Sequence, residues 1–170
     1  STDDDGRKHF KGHASTGAEL TKIVCKNMSL GSSEYYPFKC DALSWIVKHH
    51  LFSIEHQKES RSKIELEQLF FSDKYPSESL LQVMLADLMG SKTGDKIRST
   101  EPFEALWAQL KEMAPNGELP APLLTGSDVI ETLQTKPGPA IKGYLDQIRE
   151  AQLNHEISTK EEALNLLKTL

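Results

Sequence analysis

No stretch of this chain alternates strictly between apolar and polar residues, and no apolar run approaches the roughly 18 residues needed to cross a bilayer as a helix. The first absence argues against half-buried strands and the second against a membrane span. No charged-then-apolar segment of signal type opens the chain. Cysteine is scarce: Cys25 and Cys40 are the two present and form no Cys-x-x-Cys arrangement, so reduced thiols are expected, with a disulfide possible but not indicated. Positive charge is not in excess either. Twenty Lys and Arg stand against 25 Asp and Glu, for a net charge of -5, so no global field draws in nucleic acid and any basic contact must be a local patch. The expectation is a soluble, cytoplasmic protein.

What is there is helical. With 170 residues, 38% of them hydrophobic, the chain is long enough for one core, or for one domain with a small appended module. Apolar residues recur at helical spacing in successive blocks. The first carries Leu20, Ile23, Val24 and Met28, and Leu30-Gly31 followed by Ser32-Ser33 reads as a stop and new caps. The second runs from about Asp41, with Leu43, Ile46, Val47, His50 and Leu51 on one side and Trp45 beside them; a charged linker, 55–63, follows. Leu66, Leu69 and Phe70 mark a short third helix. Ser77 can cap a fourth, whose stripe is Leu80, Val83, Met84, Asp87 and Leu88, and polar residues 90–100 lead to a fifth stripe of Phe103, Leu106, Trp107, Leu110 and Ala114.

The segment 115–122 holds three prolines, which remove amide donors and restrict their predecessors, and so it reads as a linker. The expected fold is all-α: a helical body over 1–114 and a small helical tail over 123–170. Three short tail helices are predicted, over 127–134, 139 to about 153, and 158–170, the last opened by the capping box Ser158-Thr-Lys-Glu161. The polar start, 1–9, reads as the flank of a cut inside a longer protein.

Asp87 falls inside the fourth apolar stripe, where a carboxylate is costly unless paired, hydrogen-bonded or bound to a cation. His50 lies on the second stripe and His13 just before the first helix. Imidazole and carboxylate both ligate metals, so His13, His50 and Asp87 form a partial divalent-metal set. Alternatively, each histidine bonds a neighbouring backbone group, and Asp87 pairs with a basic residue or caps a helix. Two readings also attach to Lys136-Pro-Gly-Pro139. Gly138 permits a strained backbone and Pro139 starts a helix whose free amides, with Lys136 and Lys142 alongside, attract phosphate. Otherwise the glycine merely permits a tight corner and the lysines are solvated. Polymerising chemistry needs a Gly-Ser motif followed by paired carboxylates on a strand; Gly31-Ser32 lies between helices and Asp3-Asp-Asp5 in a polar terminus, so no catalytic residue is assigned.

Two sets of motifs carry a resemblance. The runs 10–20 (Phe-Lys-Gly-His-Ala-Ser-Thr-Gly-Ala-Glu-Leu), 45–51 (Trp-Ile-Val-Lys-His-His-Leu) and 85–88 (Leu-Ala-Asp-Leu) resemble the downstream part of an HD-type domain, as found in tRNA nucleotidyltransferases. His13, His50 and Asp87 match metal-ligand positions there, but the His-Asp doublet that names the family occurs nowhere in the chain. The tail runs 123–130, 136–145 and 149–164 resemble the C-terminal segment of the CCA-adding and poly(A) polymerase family. That resemblance implies the C-terminal region of a bacterial-type tRNA nucleotidyltransferase or poly(A) polymerase, binding tRNA or another RNA 3' end through Lys136, Gly138, Lys142 and Arg149. The parent's Mg2+, with ATP or CTP, would belong to an N-terminal catalytic head outside this chain, which is the other implied partner; neither membrane nor DNA is expected. An HD-type metal-dependent phosphohydrolase domain is the alternative, with the incomplete ligand set arguing against activity. A helical interaction module, with Trp45 and Trp107 as plain core, is the third.

Overall fold

The computed structural model describes residues 12–30, 39–93, 96–97 and 99–170. The polar start with Asp3–Asp5, the Gly31-Ser32 pair and Ser33 lie outside the described residues. The all-α expectation is met: nine helices are described, α1 (His13–Asn27), α2 (Cys40–His49), α3 (Phe52–Lys58), α4 (Lys63–Phe70), α5 (Ser77–Gly90), α6 (Glu101–Met113), α7 (Gly126–Leu133), α8 (Ala140–Leu153) and α9 (Lys160–Leu167). A two-residue antiparallel ladder, β1 (Lys92–Thr93) with β2 (Lys96–Ile97), pairs Lys92 with Ile97 between α5 and α6. Among the described residues no helix is long and apolar enough to cross a membrane.

Two compact units result. One comprises Ser1–Ser60 and Ser72–Leu106, the other Arg61–Phe71 and Trp107–Leu170. These units do not follow the expected division at 115–122, because α4 and the second half of α6 group with the C-terminal helices. The reason is polar chemistry over long sequence separations. The Glu150 carboxylate accepts from the backbone amides of Lys63 and Ile64, each at 3.0 Å, and so caps α4, while Lys63 Nζ donates to the Leu153 carbonyl at 2.9 Å. Orphan amides at one helix start and an orphan carbonyl at another helix end are thereby satisfied. The 55–63 stretch is likewise not a plain linker: it holds the last turn of α3 and then Ser62, the N-cap of α4 in a full capping box with Glu65.

In the first unit, α1 and α2 approach closely through small residues. Ala18 and Cys25 are the buried residues of α1, Gly17 lies so near that a Cβ there would sit 3.1 Å from Val47 Cγ1, and Ser44 Oγ donates to the Ala18 carbonyl at 2.9 Å. This overturns the expected core face of α1. Leu20, Ile23, Val24 and Met28 are all exposed, at 48 to 65%, because the small-residue face makes the closer helix contact. Cys25 and Cys40 are free thiols, and the neighbouring Cys40 thiol, with burial, raises the pKa of Cys25. On α5 the buried set is Leu80, Met84 and Leu88; Val83 is exposed and Asp87 half-buried, so the stripe is narrower than the spacing suggested.

The second unit has a core of Leu124, Val129, Ile148, Ala151, Ile157, Ala163 and Leu167. Its helices start with strong caps. Thr125 and Asp128 form a capping box on α7, and Thr159 and Glu162 form one on α9. The α9 box is one residue later than the expected Ser158–Glu161 pair, since Ser158 joins from outside, its amide and hydroxyl both donating to Glu162 Oε2.

Candidate nucleic-acid interface

In the second unit, Lys136 to Pro139 form the turn that feeds α8. Lys136, Gly138, Pro139 and Lys142 are all exposed, so the two ammonium groups flank an open helix start. Two details differ from the expectation. Gly138 does not adopt a left-handed backbone, and a Cβ there would meet only the Lys136 carbonyl, at 3.9 Å; the fold itself does not require glycine at this position. The first-turn amides are also partly used: Ile141 N donates to the Gly138 carbonyl at 3.1 Å and Lys142 N to the Pro139 carbonyl at 3.3 Å. These tight i to i-3 bonds leave a smaller anion site than a fully open first turn offers.

Arg149 is placed otherwise. Its Nη2 donates to Glu67 Oε1 at 2.7 Å and its Nε to both Glu67 oxygens at 3.0 and 3.1 Å; Nη1 donates to the Pro120 carbonyl and to Gln152 Oε1, each at 2.8 Å. The side chain is 11% exposed. A guanidinium forked onto a carboxylate, with both Nη1 hydrogens also taken, is committed to the fold and has little left to offer a phosphate. Arg149 therefore ties α8 to α4 and to the 115–122 segment, which Gln152 Nε2 also grips through the Ala121 carbonyl at 2.8 Å.

In the first unit, the structure brings together two of the three candidate metal ligands. His13 Nε2 and His50 Nε2 lie 3.2 Å apart, and His50 Nδ1 donates to the Val47 carbonyl at 2.6 Å. With Nδ1–H on that carbonyl, the two Nε2 atoms share one hydrogen bond, whose donor the tautomer decides. Asp87 does not join them, and among the described residues no group of three or more His, Cys, Asp or Glu could hold a metal ion. Two imidazoles fall short of the three protein ligands of a catalytic zinc-type site. His49, the other histidine of the pair, packs on Trp45 with centroids 5.1 Å apart; burial lowers its pKa, with Lys48 adding to the effect and Glu55 opposing it.

Residue spacing did not reveal a cleft in the same unit. One face of α1 (Ser15, Ala18, Glu19, Lys22) and one face of α2 (Asp41, Ser44, Trp45, Lys48) line it, joined by Lys39, Lys74 and Tyr75. Its volume is about 1040 Å³. Trp45 and Tyr75 stack with planes 1° apart and centroids at 4.6 Å, and Lys74 Nζ stands 5.0 Å from the Tyr75 centroid. The helical signal was present in the sequence as i, i+3, i+4, i+7 positions on each helix, but only the α1–α2 contact aligns the two faces.

The fold and these surfaces define an all-helical chain with basic, solvent-facing positions on both units. No protein-family model matches the sequence. No solved structure matches significantly. Two curated proteins do match: the A-adding tRNA nucleotidyltransferase of Deinococcus radiodurans is 28% identical over 164 residues, which is 94% of this chain, and the CC-adding tRNA nucleotidyltransferase of Thermus thermophilus is 26% identical over 158 residues, which is 93% of it. The chain is thus similar along nearly its whole length to two tRNA nucleotidyltransferases, the family its motifs resembled, and it spans about a third of the length of these relatives, 35% and 33%.

Proposed function

We propose that this chain is the C-terminal body and tail of a tRNA nucleotidyltransferase or related poly(A) polymerase, and that it holds tRNA so that the 3' end reaches a catalytic head. The observation that carries the reading is the match to two tRNA nucleotidyltransferases over nearly all of this chain but only a third of theirs. The head would supply Mg2+ and the ATP or CTP site. The tail turn supports a holding role: Lys136 and Lys142 are exposed beside a helix start, and contacts of that type position nucleic acid without reading sequence. Gly138 fits the same role, since nothing within the fold demands a glycine there while a close backbone approach by RNA would. Free thiols at Cys25 and Cys40 suit a cytoplasmic setting.

The test is tRNA binding by the 170-residue chain, measured by fluorescence anisotropy across a salt series. Lys136→Glu with Lys142→Glu is expected to weaken binding at least tenfold and to reduce the log–log salt slope by roughly 2, at about 0.7 to 0.9 per lost phosphate contact. Gly138→Ala is expected to leave the melting curve unchanged while weakening binding. Absence of tRNA binding at low salt overturns the holding role, and unchanged binding by the folded double variant overturns the tail turn's part in it.

A further inference from the structure

We propose that the Trp45–Tyr75 cleft of the first unit is a second RNA contact, gripping the phosphodiester backbone through Lys39, Lys48 and Lys74 and presenting Tyr75 as a stacking surface. The inference rests on the RNA-holding reading above and adds to it a site on the body that is independent of the tail turn. Four lysines line the cleft against two carboxylates, Glu19 and Asp41, in a chain whose net charge is -5. The positive charge is therefore concentrated here against the overall balance, which is how an acidic protein attracts a polyanion locally. Of the two carboxylates, Glu19 is engaged by Lys22 at 3.3 Å. Lys39, Lys48 and Lys74 are exposed and make no ion pair with any described residue.

The aromatic pair gives the cleft a second kind of contact. Trp45 is 9% exposed and forms the base on which the half-buried Tyr75 lies flat. A ring held in one plane from below offers stacking at little entropic cost, and lysines tracking a backbone beside an aromatic platform form the standard arrangement for binding single-stranded nucleic acid without sequence preference. Size agrees: about 1040 Å³ is at the upper end of small-ligand pockets, and a lining of lysines suits a polymer strand better than an apolar metabolite. Local geometry builds the site from both sides. Gly17 and Ala18 allow α1 close to α2, and that approach sets Lys22 and Lys48 on the same cleft.

The experiment compares Lys39→Ala/Lys48→Ala/Lys74→Ala with a control set outside the cleft, Lys26→Ala/Lys58→Ala/Lys168→Ala, and with the tail pair Lys136→Glu/Lys142→Glu, each checked for folding by circular dichroism. In anisotropy with labelled tRNA, the cleft triple is expected to weaken binding at least tenfold and to lower the salt slope by about 2, the control set by less than threefold. Tyr75→Ala is expected to weaken binding on the order of tenfold, with Tyr75→Phe close to wild type. In a Trp107→Phe background, tRNA is expected to quench Trp45 fluorescence. A folded cleft triple that binds within twofold of wild type with an unchanged slope overturns this inference, as does a control set that weakens binding equally. Loss in the tail variant alone keeps the holding role and removes the cleft; loss in the cleft triple alone keeps the holding role through the cleft and removes the tail turn from it.

Discussion

Replacing Arg149 tests whether the most heavily bonded side chain of the second unit serves the fold or the RNA. Its guanidinium makes two bonds to Glu67 from Nε and one from Nη2, and two more from Nη1 to Pro120 and Gln152. Breaking a wholly buried ion pair by removing one partner costs about 3 to 5 kcal/mol, whereas an exposed pair is worth about 0 to 1. At 11% exposure for Arg149 and 26% for Glu67, the pair lies between these limits but nearer the buried one, so Arg149→Ala is expected to cost about 2 to 3 kcal/mol. Arg149→Lys keeps the charge but loses the fork, and about half of that cost remains. Urea unfolding followed at 222 nm, run as a double-mutant cycle with Glu67→Gln, should give a coupling of about 1 to 2 kcal/mol. The second readout is tRNA binding by folded Arg149→Lys, whose salt slope should match wild type. A coupling below about 0.5 kcal/mol together with a reduced slope would refute the reasoning and return Arg149 to the RNA surface.

Two further outcomes follow from the caps and the α1–α2 contact. Asp128 is held well below the usual carboxylate range by the Lys160 ammonium first and by the Thr125 hydroxyl and amide next, and Glu162 is lowered by the Ser158 and Thr159 amides. Both folded values lie below the unfolded ones. Their stabilisation is therefore complete above the unfolded carboxylate pKa of about 4 and is lost as pH falls from there toward the depressed values. The urea midpoint of the wild type should drop between pH 6 and pH 3, and Asp128→Asn/Glu162→Gln should start lower and vary less; parallel curves would contradict this. At Gly17 a new Cβ meets Val47 Cγ1 at 3.1 Å, and a β-branched neighbour has little freedom to turn away. Gly17→Ala should destabilise the wild type, but in a Val47→Ala background it should stabilise by about 0.5 to 1 kcal/mol through helix propensity. The same sign in both thermal melts would refute the close contact.

Periodicity determined the helical class and the position of most helices, because side-chain spacing along one helix is a local property. The motifs of the tail also pointed to the tRNA nucleotidyltransferases before any geometry was known. Tertiary structure decided the rest. The apolar stripe of α1 looked like core, yet Gly17, Ala18 and Cys25 made the closer contact with α2 and left Leu20, Ile23, Val24 and Met28 exposed. Arg149 looked like an RNA ligand until Glu67, 82 residues away, was found to hold it. His13 and His50 met while Asp87 did not. The basic cleft needed residues from α1, α2 and the Lys74-Tyr75 turn. Each of these depends on pairs distant in sequence, whose meeting is set by how helices pack and not by what any one helix contains.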